Sequence, residues 1–144
     1  MYHVLLVEDN PADAFLFEEY LYDAAPTTYC VSTTNHLEKG WYLSQVLYPE
    51  VVVIDLSLPD ASGEQTLKLA AQYFKNKPVV VLTGYDDLEL AKKAVAEGIH
   101  YFLVKNEING ELLNRSLQCA IEGHQLTKQA RQSRALSYQS AGVG

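Results

Sequence analysis

The most constraining feature of this sequence is a set of short runs in which every residue is apolar. They occupy residues 4–7, 51–54 and 79–82. A strand with one face in water alternates apolar and polar side chains, whereas a strand buried on both faces stays apolar throughout. Runs of this kind therefore predict a parallel sheet that is covered by helices on both sides.

Segments with apolar residues at helical spacing alternate with these runs. A helix follows each predicted strand, and the strands are predicted at residues 3–8, 27–33, 51–55, 79–83 and 100–105. The predicted fold class is α/β, a doubly wound five-stranded parallel sheet with five helices and an extended C-terminal helix. We expect residues 1–122 to form the domain. Residues 123–144 are expected to form a helical extension and then a disordered tail from residue 137.

Three of the predicted helices have recognisable starts. Asn10 supplies an N-cap and Pro11 a proline at the first helical position of the first helix. Asn35 and Glu38 have the spacing of a capping box for the second helix. Asp86 and Asp87 are predicted to supply the N-cap and first-turn acids of the fourth helix, which Gly98 is predicted to end. The inward face of the first helix is predicted from apolar residues at helical spacing: Phe15, Leu16, Tyr20 and Leu21.

Composition and charge argue against several classes of protein. The chain has 144 residues, 48% of them hydrophobic, which is typical of one globular domain. Residues 1–122 carry eight basic and eighteen acidic residues, so this body is unsuited to gripping a nucleic acid backbone. The apolar runs are too short to span a membrane, and no signal peptide is recognisable. We therefore expect a cytoplasmic protein whose partners are neither nucleic acid nor membrane.

Chemically active side chains stand where four of the predicted strands end. Glu8 and Asp9 lie at the end of the first strand, Asp55 ends the third, Thr83 the fourth and Lys105 the fifth. In doubly wound sheets the functional site lies beyond the carboxyl ends of the strands. We therefore expect these five side chains to converge at one edge of the sheet.

This set of side chains suits phosphoryl chemistry. Three carboxylates in one place repel each other, so either one keeps a proton or a divalent cation neutralises them. Hard oxygen ligands that leave room for water suit Mg²⁺. Lys105 offers a positive charge for a phosphoryl group, and Thr83 a hydroxyl that donates a hydrogen bond to it. Asp55 would then be the nucleophile that forms an aspartyl phosphate.

Four stretches of the sequence, in this order, resemble bacterial response-regulator receiver domains. They are Val7-Glu8-Asp9-Asn10, residues 55–63, Leu82-Thr83-Gly84 and Phe102-Leu103-Val104-Lys105. The similarity extends over residues 3–122. It implies a flavodoxin-like receiver fold and a role as a phosphoacceptor switch in two-component signalling.

The resemblance also implies a role for each matching residue. Asp55 accepts a phosphoryl group from the phosphohistidine of a sensor histidine kinase or from a phosphotransfer protein. Mg²⁺ is bound at the acidic pair Glu8 and Asp9, with Asp55 and the backbone carbonyl of Ser57 as further ligands. The family signals rather than acting as an enzyme, although it assists its own phosphotransfer and dephosphorylation.

The same resemblance implies a conformational switch. Thr83 moves toward the phosphate and Phe102, at the aromatic switch position, turns inward. The surface of the fourth helix, fifth strand and fifth helix then changes and controls a downstream protein, a covalently linked output domain or a homodimer. Asn106 follows Lys105 where the family usually has proline, so that peptide is expected to be trans or a strained cis.

Several other interpretations remain open at this point. An aspartyl-phosphate phosphatase of the haloacid dehalogenase type would have a second acid at position 57, which is Ser57. A flavodoxin-like flavin binder would have a phosphate loop after the first strand, where this chain has Glu8 and Asp9. A receiver-like scaffold that takes no phosphate would not need the complete acid, Thr83 and Lys105 set. The chain is either a stand-alone regulator or a module of a larger protein.

Overall fold

The structure, a computed structural model, describes residues 1–56, 58, 63–96, 99 and 101–143, with side chains up to residue 136. The elements, in chain order, are β1 Tyr2–Val7, α1 Pro11–Ala24, β2 Tyr29–Thr34, α2 Leu37–Leu47, β3 Val51–Asp55, α3 Gly63–Tyr73, β4 Val79–Thr83, α4 Leu88–Ala96, β5 Tyr101–Val104 and α5 Gly110–Val143. Short 3-10 turns occupy Tyr85–Asp87 and Lys105–Glu107.

The three wholly apolar runs form the centre of the sheet. The strand order is β2-β1-β3-β4-β5, and the pairings between neighbours are parallel. The register aligns Val7 with Ile54 and Thr83 with Val104, so neighbouring strands end at the same edge. The predicted doubly wound α/β fold is confirmed, and β3 and β4 have the predicted bounds.

The sheet separates two hydrophobic cores. On one side Val4 and Leu6 pack in a cluster with residues of α1 and α5. On the other side Leu5 and Val7 pack in a cluster with residues of α2, α3 and α4. Successive residues of one strand thus enter opposite cores, which is why the strand has to be apolar at every position.

The start of α1 is as predicted, and its inward face is as predicted only in part. The side chain of Asn10 accepts hydrogen bonds from the backbone amides of Ala12 and Asp13 at 2.9 and 3.3 Å. Leu21 is buried as predicted, but the prediction that Phe15 and Leu16 face inward is wrong: they are 60% and 47% exposed, and the helix buries Phe17 instead. Residues 15–17 are consecutive apolar positions, so spacing alone does not decide which of them points at the sheet.

The capping box predicted for α2 is also wrong. The helix begins at Leu37, with His36 at the N-cap and no side-chain capping bond. Oδ1 of Asn35 lies 2.8 Å from Nδ1 of His36 instead of reaching a backbone amide of the helix. The helix starts one residue later than the capping box requires, so Asn35 is not in the N-cap position.

In the second half of the chain one predicted boundary differs from the structure, and two others lie outside the described residues. The 3-10 turn at Tyr85–Asp87 precedes α4, so Asp86 and Asp87 lie before the helix rather than in its first turn. The predicted helix end at Gly98 and strand start at His100 lie outside the described residues.

The last helix is long. α5 spans 34 residues, and residues 125–136 are exposed. The helical extension beyond residue 122 is therefore present. The backbone of residues 137–143, expected to be disordered, continues this helix, because extending an existing helix requires no new nucleation. None of the helices in the described residues is long and apolar enough to cross a membrane.

Candidate functional site

The predicted site residues converge at the carboxyl edge of the sheet. Glu8 follows β1 directly, Asp55 is the last residue of β3, Thr83 is the last of β4, and Lys105 follows β5. Glu8, Asp55 and Thr83 are 3%, 2% and 1% exposed. Burying two acids and a hydroxyl at the end of an apolar sheet is costly unless each has partners or a ligand.

The Lys105 ammonium is the positive centre of the site. Its Nζ donates hydrogen bonds to Oδ2 of Asp55 at 3.1 Å and to Oδ2 of Asp13 at 2.9 Å. The same nitrogen lies 3.0 Å from Oε2 of Glu8. The sequence therefore correctly predicted that Lys105 and the strand-end acids lie together.

Asp13 was missed by the sequence analysis. It lies in the first turn of α1, and its side chain is 40% exposed. The sequence contains a signal that could have identified it. Asp13 lies in the first turn of a helix predicted to start at Pro11, directly after the strand-end acids, so this turn begins at the same sheet edge as the site.

Three carboxylates form a group that could hold a metal ion. One oxygen from each of Glu8, Asp9 and Asp55 lies within 4.8 Å of the others, and Asp9 is exposed to water. Oε2 of Glu8 is buried, and within the described residues it has no hydrogen bond of good geometry despite the nearby ammonium. A buried carboxylate oxygen that lacks a hydrogen bond and lies in a cluster of hard ligands fits a divalent cation. Ser57, the predicted source of a carbonyl ligand, lies outside the described residues.

The electrostatics of Glu8 and Lys105 reflect this crowding. Burial, reinforced by the hydrogen bond and negative charge of Asp55, raises the pKa of Glu8 from 4.5 to about 7, although Lys105 opposes this shift. For Lys105, burial alone would lower the pKa. The hydrogen bond to Asp13 and the charges of Asp55 and Glu8 outweigh burial and raise the pKa above its ordinary value. Lys105 is therefore charged in the folded protein.

Thr83 and Phe102, the predicted switch residues, lie near the site but outside the ion-pair cluster. Oγ1 of Thr83 donates a hydrogen bond to the carbonyl oxygen of Gly84 at 3.0 Å. Phe102 is half-buried in β5 and packs against the core on the α3 and α4 side of the sheet. Thr83 borders the loop that follows β4, whereas Phe102 is the second residue of β5, and the loop after β5 begins at Lys105.

Those two loops are joined by a hydrogen bond. The hydroxyl of Tyr85 donates to Oε1 of Glu107 at 2.9 Å. This bond raises the pKa of Tyr85. The Lys105–Asn106 peptide lies in the second of these loops and is trans, one of the two alternatives expected from the missing proline.

Comparison with known proteins agrees with this geometry. The family model of the response regulator receiver domain matches residues 4–117. The cell cycle transcriptional regulator CtrA of Caulobacter vibrioides is 30% identical over 112 residues, which cover 78% of this chain and 47% of that protein. The chain thus spans about half the length of this relative.

Solved structures show the same fold. A signal receiver domain from Vibrio parahaemolyticus has a TM-score of 0.75 at 27% identity, covering 90% of this chain and 96% of that one. A response regulator receiver domain protein from Clostridium thermocellum, 22% identical, has a TM-score of 0.73 over 88% of this chain and 99% of that one. With its parallel sheet, its strand-end acids and its matching family model, the chain belongs to the response regulator receiver domain family.

Proposed function

We propose that this protein is a phosphoacceptor switch of two-component signalling and that Asp55 is the acceptor. The observation that carries the proposal is the placement of one buried aspartate between an acidic pair and a lysine. Asp55 shares a cluster with Glu8 and Asp9 and receives a hydrogen bond from Lys105. A carboxylate used only to cap a strand end would not need three such neighbours.

The transfer we propose moves a phosphoryl group from a phosphohistidine to Asp55. A carboxylate oxygen of Asp55 attacks the phosphorus, an oxygen–phosphorus bond forms, and the phosphorus–nitrogen bond of the donor breaks. The bonding electron pair returns to the imidazole nitrogen of the donor. The donor is a sensor histidine kinase or a phosphotransfer protein. Because such kinases use cytoplasmic ATP, we also propose that this protein is cytoplasmic.

The acidic cluster is suited to Mg²⁺. Glu8, Asp9 and Asp55, with the backbone carbonyl of Ser57, are the residues that we propose hold it. When bound, the ion neutralises the carboxylates and the phosphoryl oxygens as negative charge gathers there. Lys105 supplies a second positive charge beside Asp55, and the Thr83 hydroxyl a hydrogen-bond donor.

The switch that we propose begins at Thr83. Its hydroxyl bonds to the Gly84 carbonyl in this structure and has to leave it to reach a phosphate on Asp55. Phe102 is half-buried in β5. We propose that it turns inward as Thr83 moves. The surface of α4, β5 and α5 then changes and acts on a downstream protein, a linked output domain or a second copy of the chain. We propose that the protein acts as a signalling switch rather than as an enzyme, and that it assists its own phosphorylation and dephosphorylation.

Intact-mass spectrometry tests this function. The protein is incubated with acetyl phosphate, with Mg²⁺ or with EDTA, and the mass of one added phosphoryl group is sought. We expect the adduct in Mg²⁺, its loss in EDTA, and its absence from Asp55→Asn. Asp86→Asn, an exposed acid in the loop after β4, is the matched control and should be phosphorylated normally. A receiver that serves only as a scaffold would give no adduct in any of these samples.

A further inference from the structure

The Lys105 ammonium is surrounded by carboxylates from three elements, and Glu8, at the end of β1, lies 3.0 Å from it. Asp55 reaches it from the end of β3, and Asp13 reaches it from the first turn of α1 at 2.9 Å. Lysine has a long flexible side chain, and the Lys105 side chain is 25% exposed. Glu8 and Asp55 attract the ammonium at the strand ends, and the bond to Asp13 adds a separate anchor on α1.

The negative charge of Asp13 does not by itself favour phosphoryl transfer at this site. The site already holds Glu8, Asp9 and Asp55, and a fourth negative charge nearby repels an incoming phosphoryl group. Within the described residues, the group of carboxylates suited to a cation consists of those three acids and does not include Asp13. Asp13 is thus linked to the site through its contact with Lys105.

We propose that Asp13 is a positioning residue for phosphotransfer: it holds the Lys105 ammonium beside Asp55 so that the positive charge is in place when the phosphoryl group arrives. This inference rests on the proposed function. A cation bound by Glu8 and Asp55 would draw on the same oxygens that attract Lys105. Asp13, which lies outside the cation group, keeps the lysine anchored when the ion is present.

The kinetic test compares phosphorylation rates at saturating Mg²⁺ with acetyl phosphate as donor. Asp13→Ala removes the anchor and should lower the rate about tenfold, since small losses of alignment cost this much or more. Asp13→Asn keeps a hydrogen-bond acceptor and should recover part of the loss. Asp23→Asn, at the other end of α1, is an exposed matched control and should leave the rate unchanged.

A double-mutant cycle separates positioning from a structural effect. If Asp13 acts through Lys105, then Asp13→Ala should have no further effect on the rate in a Lys105→Gln background. Equal losses in both backgrounds would overturn the proposal, because Asp13 would then act on the metal or on the fold. A faster Asp13→Ala variant would overturn it as well, because the acid would then act by repulsion.

A second measurement tests the anchor without any phosphoryl transfer. At saturating Mg²⁺, lysines are labelled with a limiting amount of acetic anhydride, and the labelling of Lys105 is followed by peptide mass spectrometry. We expect Lys105 to be labelled several-fold faster in Asp13→Ala, with the labelling of Lys92, on α4, unchanged. Unchanged labelling of Lys105 would overturn the inference. A wild-type protein that shows protected Lys105 but takes no phosphoryl group would instead contradict the proposed function.

Discussion

The backbone carbonyl oxygen of Tyr20 in α1 lies too close to Gly110 for any residue with a Cβ to fit at position 110 without a shift. A Cβ built on Gly110 comes within 2.7 Å of that oxygen and 3.1 Å of the Cβ of Ala24. The first residue of α5 therefore packs directly against the backbone of α1. This close approach holds together the two helices on one side of the sheet, beside the site that Asp13 and Lys105 share.

We predict that Gly110→Ala lowers the stability of the domain. Alanine normally stabilises a helix by about 1 kcal/mol relative to glycine, but here the added Cβ meets backbone that cannot move aside cheaply. We expect a net loss of about 1–3 kcal/mol, measured by urea unfolding. Gly123→Ala is the matched control, since the nearest atom to its Cβ is 4.0 Å away. That variant should be stabilised by about 0.5–1 kcal/mol, and a stabilised Gly110→Ala would contradict the packing described.

Removing the positive charge of the site should destabilise the metal-free protein. Lys105→Gln leaves Glu8, Asp13 and Asp55 close together without their ammonium. Since water reaches part of this cluster, we expect a loss of about 1–2 kcal/mol in EDTA rather than the larger cost of a fully buried pair. Lys92→Gln, which breaks an exposed pair with Glu89, should change stability by less than about 0.5 kcal/mol. Equal effects of the two variants would show that Lys105 does not neutralise the cluster.

Mg²⁺ should reverse that loss. A cation that binds the folded state alone stabilises it by mass action, and Lys105→Gln gives the cation less competition for the same carboxylates. We therefore expect Mg²⁺ to raise the melting temperature more in Lys105→Gln than in the wild type. A smaller increase would argue against a shared set of oxygens.

The raised pKa of Glu8 predicts a pH-dependent stability in EDTA. The folded-state pKa is about 7, above the unfolded value of 4.5, so folding favours the protonated carboxyl. Stability from this group is complete below pH 4.5 and is lost as the pH rises through 7. Glu8→Gln cannot ionise, so its stability should exceed that of the wild type by about 3 kcal/mol above pH 7 and should match it below pH 4.5. Glu19→Gln, on the exposed face of α1, is the control, and a pH-independent difference for Glu8→Gln would contradict this assignment.

The sequence was most informative where backbone geometry alone decides the outcome. Strands that are apolar throughout predicted the parallel sheet, and a parallel sheet brings its strand ends to one edge, so the meeting of Asp55 with Glu8 and Lys105 could be foreseen. It was least informative where side-chain reach decides. The contact of Asp13 with Lys105 depends on how far a lysine extends toward α1, and the choice of Phe17 over Phe15 depends on the rotation of one helix. The spacing of residues in the sequence determines neither the reach of Lys105 nor the rotation of α1.

Borohydride reduction is the most direct measurement of the central claim, that Asp55 accepts the phosphoryl group. It converts an aspartyl phosphate into homoserine, which peptide mass spectrometry locates in the chain. After treatment with acetyl phosphate and Mg²⁺, we predict homoserine at position 55, and none in a sample treated with EDTA. Homoserine at position 9 or 13 instead, or at no position in a fully folded sample, would contradict the assignment of Asp55 as the acceptor.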